Sequence, residues 1–70
     1  MMTVNVVSVS SGKVLGTLTL DGDSVKGSNP SATKIFNSLK RAYDTPPTDV
    51  VILNIFADGW SNGYVKTVKA

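Results

Sequence analysis

The order of patterns along this chain predicts an α+β fold, an antiparallel-rich sheet with one amphipathic helix packed on it. Three observations carry that expectation. β-branched runs with alternating apolar positions open the chain, one later segment repeats its apolar residues at helical spacing, and Gly or Pro clusters punctuate the runs. The predicted order is β-β-(short β)-α-β-β, in a single domain over residues 1–70.

Residues 3–9, "TVNVVSV", are rich in β-branched side chains and end at "SSGK", which reads as a strand followed by a turn. Residues 14–20, "VLGTLTL", place Val14, Gly16, Leu18 and Leu20 on one face and Leu15, Thr17 and Thr19 on the other. This second strand pairs antiparallel with the first through Ser11-Gly12. "DGD" at 21–23 is a further tight turn, and "SVKG" after it is a short edge strand with Val25 toward the core.

The helix follows. Asn29 suits an N-cap, Pro30 is tolerated in the first turn, and Ala32, Ile35, Phe36, Leu39, Ala42 and Tyr43 form one stripe over residues 30–43. "DTPPT" ends it, because a residue before proline is driven out of helical geometry. Residues 50–56, "VVILNIF", are apolar on both faces apart from Asn54 and read as a central strand. "YVKTVK" is the last strand, reached through an Asn62-Gly63 hairpin turn of type I′.

This order resembles the β-grasp architecture, on an N-terminal hairpin with a Gly-containing turn ("SSGK"), a crossing helix, a proline-bearing loop ("TPPTD") and two further strands. A plain two-layer α+β sandwich fits equally. The phrases "GKVLGTLTLDGDSVKGSNP" and "DGWSNGY" also resemble small proteins of tailed phages that infect actinobacteria. That resemblance implies a phage accessory protein, in the virion or in the host cytoplasm, and implies no mechanism.

Composition narrows the chemistry. The chain has 70 residues, no cysteine or histidine, and a net charge of +2; its five acids are all aspartate. So small a domain buries about 60% of the surface its unfolded chain exposes, and no disulfide or thiolate-bound metal can reinforce it. Without His, Cys or Glu, the usual nucleophile–base pairs and zinc ligands are missing, so the chain is not expected to be an enzyme, to bind a metal or to use a cofactor. "DGDS" at 21–24 faintly echoes a calcium loop but lacks its bidentate acid, and a hairpin turn explains it better. "SSGKV" has a Gly-Lys pair followed by a strand, where a phosphate loop needs a helix. No apolar run is long enough to span a bilayer, and the N-terminus lacks a signal-peptide pattern.

What remains is recognition. Trp60 and Tyr64 flank the predicted turn and fall on opposite faces of the hairpin, so one packs inward and the other is free. The outward aromatic with Lys66 beside it makes an amphipathic anchor and an adjacent cation, and Tyr64 is the favoured member. Lys34 and Arg41, one heptad apart on the outer helix face, would track phosphates or simply solvate that face. The candidate binding residues are therefore Trp60, Asn62, Tyr64 and Lys66 on the hairpin, with Lys34 and Arg41 on the helix. They point to a non-enzymatic protein-interaction module, whose partner is a host protein, a virion protein or another copy. The alternative is a small nucleic-acid binder using a sheet face with Tyr64, Lys66 and Lys69, or the basic helix face.

Overall fold

A computed structural model describes residues 2–70. The element order is β1 (Thr3–Ser8), β2 (Val14–Asp21), β3 (Ser24–Gly27), α1 (Pro30–Arg41), α2 (Asp49–Ala57) and β4 (Val65–Lys69). The four strands form one sheet in the order β3-β2-β1-β4, and every neighbouring pair is antiparallel. Both helices cover the same side, which makes a two-layer α+β domain. The α+β class and the first four elements match the sequence-based expectation.

The fifth element does not. Residues 50–56, expected as a central strand, lie in α2, so the chain has two helices and departs from the β-grasp-like order. The signals for this helix lie at its ends. The Thr48 hydroxyl accepts the Val51 N–H, Asp49 puts a carboxylate in the first turn where the helix dipole favours it, and Gly59, just beyond the C-cap Asp58, takes φ +104. Within the helix Ile52, Leu53 and Phe56 are fully buried while Val51 faces solvent. An element apolar all round has no stripe by which to tell a helical from an extended period.

The core lies between the layers. Val4, Val6 and Leu18 from the sheet meet Ala32 and Phe36 of α1 and Ile52, Leu53 and Phe56 of α2. Each of the valine, leucine, isoleucine and phenylalanine side chains contributes about 1.5–3 kcal/mol by leaving water. The helix stripe holds for Ala32, Ile35, Phe36 and Leu39, but α1 stops at Arg41, and Tyr43 is exposed beyond it.

α1 is seated on β2 by one capping residue. Asn29 Oδ1 accepts the Ala32 N–H at 2.9 Å, and its Nδ2 donates to the Leu15 carbonyl at 2.7 Å. Leu15 is the extra residue of a bulge, since Val6 pairs with Gly16 and Val7 with Val14. The expected alternation therefore holds from Gly16 to Leu20 and breaks at the bulge, which places Val14 opposite Val7 instead of in line with Gly16. Gly16 permits the close approach of α1, because a Cβ there would stand 2.7 Å from Asn29 Oδ1 and 2.9 Å from the Ala32 Cβ.

Candidate functional site

With both helices on one side, the other face of the sheet is uncovered. Register fixes its composition, because residues opposite one another share a face. Val4 and Val6 point into the core, so Thr3, Asn5 and Val7 point away from it. Their partners are Thr19, Thr17 and Val14 on β2, and Val68 and Lys66 opposite Asn5 and Val7 on β4. The end of the face away from the β1–β2 turn is polar, with the Thr3 and Thr19 hydroxyls 3.5 Å apart.

The end of the face near the β1–β2 turn is apolar. Val7, flanked by Val14 and Lys66, is only 9% exposed although no helix covers this side. Around it Val9, Val14 and Val68 are 46%, 56% and 47% exposed. Tyr64 lies beside Val9, whose N–H donates to the Tyr64 carbonyl at 3.0 Å, and is 83% exposed. A tyrosine this open is supported by little of its own structure and is available for contact.

The loop leading into β4 aims these residues. Its geometry differs from the expected type I′ turn, which needs positive φ at both central residues. Gly63 has φ +92, but among the described residues no non-glycine residue has positive φ, so Asn62 does not take that role. The turn instead runs from Asn62 to Val65: the Asn62 N–H donates to the Val65 carbonyl, and Asn62 Oδ1 accepts both the Tyr64 and Val65 N–H groups at 2.9 Å. Asn62 is thus committed to shaping the turn. The register moves with it. Ser61 bridges to Lys66 and Trp60 lies opposite Thr67, whereas a two-residue Asn62-Gly63 turn would set them opposite Tyr64 and Val65. β4 also pairs along its length with β1 and not with residues 50–56.

Trp60 belongs to the interior side of this arrangement. Its ring meets Phe56 edge to face, with centroids 5.2 Å apart and planes at 78°. Its backbone N–H donates to the Thr67 hydroxyl at 2.9 Å, and that hydroxyl donates to the Phe56 carbonyl at 2.6 Å. Thr67, only 5% exposed, therefore ties β4, the Trp60 segment and the end of α2 together.

The six residues singled out from sequence divide into three places. Tyr64 and Lys66 share the open sheet face. Trp60 and Asn62 are structural supports of the loop that presents them. Lys34 and Arg41 are exposed on α1, in the helical layer on the far side of the sheet. Lys69 pairs with Val4, which puts it out of phase with Lys66, so Tyr64, Lys66 and Lys69 do not form one face. Val7, Val9, Val14 and Val68 were missed as members of the patch. Period-two alternation in "TVNVVSV" and "YVKTVK" contains part of that signal, but a valine facing solvent looks the same in sequence as one facing the core.

Elsewhere the polar chemistry is structural. Asp49 Oδ1 binds Lys40 Nζ at 2.7 Å, and Oδ2 accepts the Val25 N–H at 3.1 Å. The Lys40 hydrogen bond, and after it the Val25 N–H, hold this carboxyl below its ordinary pKa against the opposing effect of burial. Asp21 and Lys26 pair at 3.3 Å across the β2–β3 hairpin, where Gly22 has φ +63 and the Ser24 hydroxyl donates to the Asp21 carbonyl. "DGDS" is accordingly a turn. Among the described residues no acid cluster is placed to hold a metal ion, no small-molecule pocket is present, and no helix is long and apolar enough to cross a membrane.

The chain matches no protein-family model, no curated protein and no solved structure.

Proposed function

We propose that this chain is a non-enzymatic protein-interaction module that engages its partner through the open face of its sheet. The observation that carries this reading is the cluster of Val9, Val14, Val68 and the widely exposed Tyr64 around Val7, with Lys66 beside it, on a face that no helix covers. Contiguous apolar surface rimmed by polar groups marks interaction sites on small soluble domains, and an exposed tyrosine is among the commonest interface anchors. The resemblance to phage proteins makes a host protein or a virion protein the natural partner.

Affinity capture from a host lysate or from purified virions tests this. Wild type is compared with a Tyr64→Ala, Val68→Ser double variant and with a Lys34→Ala, Arg41→Ala variant, each shown to be folded by circular dichroism. The reading expects a captured protein that is lost with the sheet-face variant and kept with the helix variant. Retention by the sheet-face variant removes this face as the docking surface.

A further inference from the structure

Asn62 differs from the other four asparagines in what surrounds its side-chain amide. An asparagine amide is lost when the backbone nitrogen of the next residue attacks it, which requires an unhindered neighbour and access to water. Asn5 lies in β1 and is followed by β-branched Val6. Asn37 and Asn54 lie inside α1 and α2, where helical bonds hold the N–H groups that follow them. Asn29 precedes Pro30, whose nitrogen has no proton to lose. Asn62 alone is followed by glycine, and it lies exposed outside every helix and strand.

The turn also prepares the amide for attack. Asn62 Oδ1 accepts the N–H groups of Tyr64 and Val65, each at 2.9 Å, so the side chain folds back over the Gly63 peptide. These donors polarise the amide carbonyl and already face the oxygen on which negative charge collects as a nucleophile adds. The Gly63 N–H donates to the Ser61 hydroxyl at 3.2 Å, the long end of the usual range, and the space beside the Gly63 Cα is open.

We infer that Asn62 is a site of spontaneous deamidation in the folded protein. Base removes the Gly63 amide proton, and the nitrogen attacks Asn62 Cγ. The new C–N bond closes a cyclic imide, the Cγ–Nδ2 bond breaks, and ammonia leaves after Nδ2 gains a proton from solvent. Water then opens the ring at either carbonyl. Opening at Cγ leaves an aspartate in the normal chain, whereas opening at the backbone carbonyl leaves an isoaspartate, with the chain running through the side chain. The aspartate keeps an oxygen for the Tyr64 and Val65 N–H groups and adds a negative charge to the loop. The isoaspartate inserts an extra carbon into the backbone and disrupts the turn that leads Tyr64 into β4. The inference stands whether or not the sheet face docks a partner.

Incubation of the full chain in warm, mildly alkaline buffer, followed by peptide mapping with mass spectrometry, tests this. The peptide holding Asn62 should exchange ammonia for water while the other four asparagines stay intact. Two products are expected, one of them co-migrating with the same peptide from an Asn62→Asp variant. The folded chain should react within about tenfold of the rate of the chain unfolded in urea, because a surface loop opens at little cost. Gly63→Ala, shown to be folded by circular dichroism, should react at least about tenfold more slowly, since a Cβ crowds the attacking nitrogen. An intact Asn62 in the folded chain, while the unfolded chain reacts, overturns the inference and makes the turn a shield. Earlier loss at another asparagine overturns the selection of Asn62, and an undiminished rate in Gly63→Ala overturns attack by the Gly63 nitrogen.

Discussion

Asp49 Oδ2 accepts the backbone N–H of Val25 at 3.1 Å, so the first turn of α2 closes the outer edge of β3. The other carboxylate oxygen holds Lys40 from the last turn of α1. One side chain therefore joins the edge strand and both helices, in a domain with little core to spare. An unpaired N–H on an edge strand invites association with another chain, and here it is satisfied from within.

Replacing Asp49 with alanine leaves the Val25 N–H and Lys40 without their partner, and should lower unfolding free energy by about 1–3 kcal/mol. Urea denaturation followed by the fluorescence of Trp60, the only tryptophan in the chain, measures this. A loss below about 0.5 kcal/mol, the range of an ordinary surface change, would contradict the assigned role.

The pH dependence has a definite sign. The folded-state pKa of Asp49 is depressed, so its contribution is complete above the ordinary carboxylate pKa of about 4 and is lost as pH falls below that value through the folded pKa. Thermal melts between about pH 6 and pH 2 should show wild type losing more stability on acidification than Asp49→Asn. Parallel curves for the two proteins would argue against the depressed pKa.

Thr67 and Trp60 form the support behind the patch. Thr67→Val keeps the shape but removes the hydroxyl that serves the Phe56 carbonyl and the Trp60 N–H, and should cost about 1–3 kcal/mol. Trp60→Ala, which strips the ring from Phe56, should cost about 2 kcal/mol or more. Tyr64→Ala should change stability by no more than about 0.5 kcal/mol, because its ring is open to solvent. Chemical denaturation of the three variants side by side checks this asymmetry, and a large loss for Tyr64→Ala would place its ring in the fold's own packing.

Gly16→Ala tests how closely α1 approaches the sheet. The added methyl meets Asn29 Oδ1 and the Ala32 Cβ at less than contact distance, so the helix N-terminus must shift. A loss of about 1–3 kcal/mol is expected, with faster hydrogen exchange at the Ala32 amide as the cap loosens. Unchanged exchange at Ala32 would mean that the helix accommodates the methyl without losing its cap.

Much of the fold was legible because its local signals agree. β-branched alternation, the "DGD" turn and the Asn29-Pro30 helix start each identify an element within a residue or two of its observed bounds. α2 was not legible from periodicity, since Val50 to Phe56 offers apolar residues to every direction and the decisive signals are single residues at its ends, Thr48, Asp49 and Gly59. The place of β4 beside β1 was not legible either, because strand pairing across the sheet is set by the whole topology and not by the adjacent turn. The site was half legible. Period-two alternation links Tyr64 to Lys66, but the separation of Trp60 from Tyr64 was read from a two-residue turn that the structure lacks, and only the register against β1 and β2 brings Val7, Val9 and Val14 to the same surface.

The central claim, that the open sheet face is where this protein meets its partner, is tested most directly by amide hydrogen exchange or NMR shift mapping of the chain with and without the captured partner. The account predicts protection or shifts at Val7, Val9, Val14, Tyr64, Lys66 and Val68, with Lys34 and Arg41 unaffected. Changes confined to α1, with the sheet face silent, would contradict it.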